Sequence, residues 1–217
     1  VAQSAAIAGT SNRLTAVDGV SVATDNAGNL ISRGNKTYTY NNANRLSSYA
    51  EDGAIKATYS YNAQNQRTIK QAVRTTHYHY GLDGKVLATT EYNADGSLYQ
   101  RVEYLWLDDT PVAQVRMDYV ADAVSAWRLT YIHADHLNTP RAMSDSTQAI
   151  VWRWDSNAFG SLLPNNDPDG NLFVDKLALR FPGQLYDQES GLNINGFREY
   201  DPSLGRYALQ PDPIGLE

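Results

Sequence analysis

The sequence predicts an all-β protein built from antiparallel hairpins. Three observations predict it: an excess of tyrosine, two-residue alternation beside those tyrosines, and Asn/Asp/Gly clusters that recur at intervals. There are 15 Tyr against 4 Phe and 4 Trp. Tyrosine favours strands, because its ring packs on a pleated face while its hydroxyl finds an acceptor or water. In Thr37-Tyr-Thr-Tyr40, Thr58-Tyr-Ser-Tyr61 and His77-Tyr-His-Tyr80 the period of two puts both tyrosines on one face.

The clusters form a repeat. Tyr40-Asn-Asn-Ala-Asn-Arg-Leu46 recurs as Tyr61-Asn-Ala-Gln-Asn-Gln-Arg67, then more loosely as Tyr80-Gly-Leu-Asp-Gly-Lys-Val86 and Tyr92-Asn-Ala-Asp-Gly-Ser-Leu98. An earlier copy, Thr24-Asp-Asn-Ala-Gly-Asn-Leu30, has Thr in place of Tyr. Each copy reads as an aromatic residue, a polar turn, then a basic or apolar residue. Asn, Asp and Gly supply positive-φ positions and side-chain-to-backbone bonds. A returning strand follows, as in Lys85-Val-Leu-Ala-Thr-Thr90. One hairpin is marginal alone, so the unit makes sense as an array whose members bury each other.

Further along, Tyr119 to Trp127 is the one helix candidate, and the period is expected to lapse from about Thr130. That gives a repeat segment over 1–129 and a second segment over 130–217. Trp152 and Trp154 share a face, read as cross-strand packing before a sugar platform. Asn165-Asn-Asp-Pro-Asp-Gly170 reads as an exposed loop, and Pro202, Pro211 and Pro213 punctuate the last stretch.

Composition limits the function. Hydrophobic residues make up 42% and charged residues 19%, as in folded chains. A net charge of −6 and a pI near 5.2 argue against a general nucleic-acid binder. Cysteine is absent, so there is no disulfide framework. No apolar run reaches the roughly 20 residues of a membrane helix. The start, Val1-Ala-Gln-Ser-Ala-Ala, reads as a cut into a longer chain.

Four blocks in the second half resemble the Rhs-associated core, and the repeats before them resemble YD repeats. The blocks are Tyr131-Ile-His-Ala-Asp-His-Leu-Asn-Thr-Pro-Arg141, with Asn138 where the family usually has Gly; Ile150 to Gly160; Leu179-Arg-Phe-Pro-Gly-Gln-Leu-Tyr-Asp-Gln-Glu-Ser-Gly-Leu192; and Phe197-Arg-Glu-Tyr-Asp-Pro-Ser-Leu-Gly-Arg-Tyr207 with Asp212-Pro-Ile-Gly-Leu216. The resemblance to the Rhs/YD-repeat family implies a curved, spiralling β-sheet, part of a hollow cocoon, with a C-terminal plug. It implies a shell that encloses a C-terminal toxin domain and supports its autoproteolytic release. Implied partners are that toxin as cargo, the remaining shell fragments, and secretion-apparatus or chaperone proteins. Such proteins are made in the cytoplasm and secreted or delivered, type VI secretion in interbacterial competition being one route. The alternative is a YD-repeat cell-surface adhesion or carbohydrate-binding module.

Self-cleavage in the family is aspartate chemistry. Two close carboxylates do not ionise together readily, so one keeps its proton while the other activates water. The resemblance makes Asp201 and Asp212 the candidate catalytic carboxylates, with Arg198 and Arg206 to hold a carboxylate or polarise the scissile carbonyl. Both Asp-Pro runs equally fit plain turns. The cut bond is expected beyond Glu217. No cofactor and no metal are expected: His77, His79, His133 and His136 lack a ligand-set pattern. Ser144, Ser146 and Ser161 lack a nucleophile elbow. Two hundred residues are too few to close a shell, so an open sheet is expected.

Overall fold

The computed structural model describes residues 4–11, 13–196 and 198–208. Its main body is one antiparallel sheet. The strands are β1 (Ala5–Ile7), β2 (Leu14–Val17), β3 (Val20–Thr24), β4 (Leu30–Arg33), β5 (Lys36–Tyr40), β6 (Leu46–Glu51), β7 (Ala54–Tyr61), β8 (Arg67–Gln71), β9 (Thr75–Tyr80), β10 (Val86–Tyr92), β11 (Leu98–Leu107), β12 (Thr110–Val120), β13 (Ala123–Ala134), β14 (Pro140–Ser144) and β15 (Ile150–Arg153). They lie side by side in chain order, and β1 does not meet β15. The sheet is therefore open. At fifteen strands it exceeds the width at which twisted sheets stay flat, so it curves. A smaller sheet holds β16 (Gln184–Tyr186), β17 (Asn193–Asn195), β18 (Arg198–Asp201) and β19 (Arg206–Tyr207), again in order. The described residues contain no helix.

The polar clusters form a single kind of turn. At Asp25, Asn41, Asn62, Gly81, Asn93, Asp135 and Asp145 the backbone N–H donates to the carbonyl four residues on, and the N–H three residues on donates back. The fourth turn residue takes positive φ each time: Gly28, Asn44, Asn65, Gly84, Gly96, Asn138 and Gln148. The Oδ1 of Asn41, Asn62, Asp135 and Asp145 accepts two backbone N–H groups inside its own turn. Asn serves at 138 because, of the residues with side chains, it tolerates that conformation best. Past Thr130 the backbone turn outlasts the sequence period: the same turn recurs at Asp135 and Asp145, on sequences that share only the leading carboxylate.

The spacing of the copies now has a meaning. From Tyr40 to Tyr61 the chain makes two strands and two turns, and returns to the same edge of the sheet. From Tyr80 to Tyr92 it makes one strand and one turn, so the Tyr92 turn lies on the opposite edge.

The helix expected over 119–127 is instead the tip of the β12–β13 hairpin. Tyr119 pairs with Val124 and Val120 with Ala123 across a turn in which Ala121 and Asp122 both have positive φ. Two-residue turns of this hand match strand twist. Pairing within the long β12–β13 hairpin outweighs the helix propensity of Ala, and Val favours the strand.

One face of the sheet is buried. Tyr38, Leu46, Tyr49, Tyr59 and Leu192 form one apolar cluster. Tyr78, Tyr104, Met143, Trp152, Trp154, Leu177, Leu179 and Leu185 form the other. Both clusters join sheet strands to residues beyond 154, so the C-terminal segment lies over the tyrosine face as a plug. The opposite face carries Thr39, Ser60 and His79, all exposed.

Candidate functional site

The seam between sheet and plug contains the densest chemistry. It begins with the repeat itself. The last tyrosine of a strand donates its hydroxyl to the first carbonyl of an earlier returning strand: Tyr40 to Leu30, Tyr61 to Leu46 and Tyr80 to Arg67, each at 2.8 Å. Trp106 Nε1 continues the ladder to the carbonyl of Val86 at 3.1 Å. These tyrosines are thus spent on their own wall and on the plug.

Charge then stitches the seam, with one polarity. The sheet gives cations and the plug gives carboxylates. Arg33 pairs with Asp201 at 3.2 Å, Lys70 with Glu189, and Arg128 with Asp175 at 3.2 Å. At the centre Arg67 holds both Asp187 and Glu199, the latter at 3.2 Å. The Arg67 guanidinium also lies 3.9 Å from the centroid of the Tyr59 ring. All three charged side chains are buried.

Their electrostatics diverge. Burial alone would lift Asp187, but Arg67 and Lys70 hold it below the usual carboxylate range. Burial pushes Glu199 up, and Arg67 offsets this only in part. Burial opposes the Arg67 charge, yet Tyr61, Asp187 and Glu199 keep it firmly protonated. The seam cations thus serve the two acids unequally, holding Asp187 down and leaving Glu199 raised. Tyr59 and Tyr61 are raised by burial and stay neutral.

Three of the four sequence-predicted residues are described, and they lie on β18 and β19. Asp201 ends β18 and is buried. Its Oδ1 accepts from Ser203 N and Leu204 N at 2.9 and 3.2 Å, and from the Ser203 hydroxyl. Its Oδ2 takes Arg33. The Asp-Pro-Ser-Leu-Gly run is therefore a turn with an ion pair behind it. Arg198 stacks over the Tyr207 ring at 3.9 Å. Arg206 is the strand partner of Asp201, with its side chain exposed. Asp212 lies outside the described residues.

Trp152 and Trp154 are fully buried. Among the described residues no group of three or more His, Asp or Glu side chains is placed to hold a metal. His133 Nε2 meets Ser144 Oγ at 2.8 Å on the outer face. His77 packs edge-on against Tyr92.

Arg67, Asp187 and Glu199 were not singled out in the sequence, although a signal existed. The repeat rule ends on a basic or apolar residue, basic in the copy that ends at Arg67, and the Tyr-Asp-Gln-Glu and Arg-Glu-Tyr-Asp runs are acidic. What sequence does not give is that they meet across 120 and 132 residues of chain.

The teneurin YD-shell model matches residues 8–214. The chain belongs to the teneurin YD-shell family. Among curated relatives of this YD-shell chain, toxin protein Tse5 of Pseudomonas aeruginosa is 30% identical over 94% of the chain and 18% of its own length. Double-stranded DNA deaminase toxin A of Burkholderia cenocepacia is 30% identical over 88% of the chain and 15% of its own length. The YD-shell chain thus spans less than a fifth of either toxin. A crystal structure of TcdB2-TccC3-Cdc42 covers 98% of the chain, itself matched over 17% of its length, at 14% identity and a TM-score of 0.36.

Proposed function

We propose that this chain is a wall-and-plug segment of an Rhs-type toxin shell. The enclosed cargo is a toxin domain that follows it in the full protein. One observation carries this reading: a sheet open at both edges has its tyrosine face sealed by the segment that resembles the Rhs-associated core. A sheet whose first and last strands do not meet fits a stretch of a larger wall better than a closed container. The family match and the toxin names of the relatives support it. The wall works by excluding solvent and proteases from the cargo, and the ion-paired seam keeps the plug seated.

Release belongs to the same proposal. Asp201, Asp212, Arg198 and Arg206 serve an intramolecular aspartate cleavage whose scissile bond lies past residue 217. Delivery through a bacterial secretion system, type VI among the candidates, brings the shell to its target.

Two measurements on the full-length protein test this. Limited proteolysis should digest the toxin domain far more slowly inside the shell than as a free domain; equal rates would refute enclosure. Asp212→Asn should abolish self-cleavage on a denaturing gel; unchanged cleavage would remove the aspartate mechanism while leaving enclosure standing.

A further inference from the structure

Every seam cation described above has a carboxylate, and Arg180 is the exception. It sits on the plug, just before β16, and is 5% exposed. Its Nη1 donates to the carbonyls of Leu177 and Leu179 at 2.6 and 2.9 Å. The Tyr186 and Trp154 rings lie 4.6 and 5.2 Å from its guanidinium carbon. Among the described residues it has no acidic partner, and its Nε and Nη2 have no acceptor. Burial draws it down to about 10, with only Tyr186 and Tyr104 acting the other way.

An isolated buried charge is costly unless something neutralises it. The structure leaves room for that something. Arg180 lines three separate cavities, of about 640, 180 and 380 Å³. The largest falls in the size range of small-molecule sites. Trp106, Pro111, Phe181, Leu185 and Ile194 give it apolar walls. At its turn-edge side Lys85 bridges Asp83 and Asp109 at 2.6 and 3.0 Å, so the wall there is acidic on balance. An anion is repelled at that side and drawn to Arg180.

We propose that Arg180 and the cavity of about 640 Å³ form a binding site for a carboxylate borne on an apolar body. The carboxylate accepts from the free Nε and Nη2 edge of the guanidinium. The apolar body lies against Trp106 and Phe181. A planar guanidinium edge with two parallel N–H groups is the natural match for a carboxylate. The ligand is either a free organic acid or an acidic side chain of an apolar peptide, and the chemistry is the same.

Titration of the 217-residue chain tests this, followed by the ¹⁵Nε resonance of Arg180 and by calorimetry. One arm uses sodium benzoate beside its neutral isostere benzamide. The other uses a capped Leu-Asp-Pro-Ile peptide beside its Asn counterpart. In at least one arm the acid should bind about tenfold or more tighter than its neutral twin, as a charge-assisted pair requires. It should also shift the Arg180 resonance. Arg180→Met should erase that preference, and Arg180→Lys should keep only part of it. Binding in the benzoate arm alone marks a free acid as the ligand class; binding in the peptide arm alone marks a chain segment. Equal binding of acid and amide overturns the proposal. So does absence of acid binding in both arms at about 10 mM, or a preference that survives in Arg180→Met. If Arg180→Met does not fold, the resonance shift and the acid-to-amide ratio in the unaltered chain decide alone.

Discussion

In both sheets each strand pairs with its neighbour in sequence, but the fifteen-strand sheet is long and repetitive, whereas residues 154–208 contribute four strands of two to four residues and are fastened to the rest by contacts from far along the chain. The sheet is held by local means: ladders, repeated turns and a tyrosine-to-carbonyl staple every second strand. The plug is held by distant ones: Trp152 and Trp154 beneath it, and ion pairs that reach back as far as 168 residues. Local pairing makes a wall that can be extended by adding hairpins. Distant pairing makes a lid that seats in one place only, because a shift of the plug would strand buried charges. The difference suits a wall that is repetitive and an end that is not.

Breaking the centre of the seam should separate the two regions most strongly. Arg67→Ala leaves Asp187 and Glu199 buried without their cation, and should cost about 3–5 kcal/mol by urea denaturation. The sheet ladder should persist while near-ultraviolet signals from Trp152 and Trp154 are lost. A cost below about 1 kcal/mol would mean that the seam carries little of the attachment.

The pH dependence sharpens the same point, because the two acids act with opposite sign. Asp187 is held below its ordinary value of 3.8, so its contribution is complete above that value and is lost as pH falls through the depressed one. Glu199 is raised above its ordinary value of 4.5. Its ionisation is therefore harder in the fold than in the unfolded chain, and stability drops as pH rises from 4.5 through the raised value. On acidification from neutrality, their joint contribution should first rise and then fall. Glu199→Gln should flatten the upper arm of the urea midpoint against pH, and Asp187→Asn the lower arm.

Within the sheet the effects should be smaller and additive. Asn62→Ala removes an acceptor for the N–H groups of Gln64 and Gln66, at a cost of about 1 kcal/mol. Smallest of all, Thr39→Ala on the outer face should stay within about 0.5 kcal/mol. A large loss there would show that the outer face is also covered.

The sheet was legible because its rules are short-range. Alternation marks a face, and Asn or Asp followed by a positive-φ residue marks a turn, both within a few residues. Where the turn sequence drifted, at Asp135-His-Leu-Asn138 and Asp145-Ser-Thr-Gln148, the backbone bonds stayed the same and the sequence signal vanished. The helix expected over 119–127 failed for a related reason. Its residues suit either structure, and pairing within the β12–β13 hairpin chose the strand. Asp201 was legible as a turn, but the ion pair behind that turn, with Arg33, was not.

By itself, then, the sequence determined an antiparallel hairpin array, its tyrosine face and most of its turns, because each needs only neighbours a few positions away. Tertiary structure alone decided that the plug lies on the tyrosine face, that Arg67 takes two carboxylates, and that Arg180 takes none. Those outcomes depend on which charges arrive together after more than a hundred residues of intervening chain. Coulomb attraction between residues far apart in the chain has no periodicity for a sequence to display.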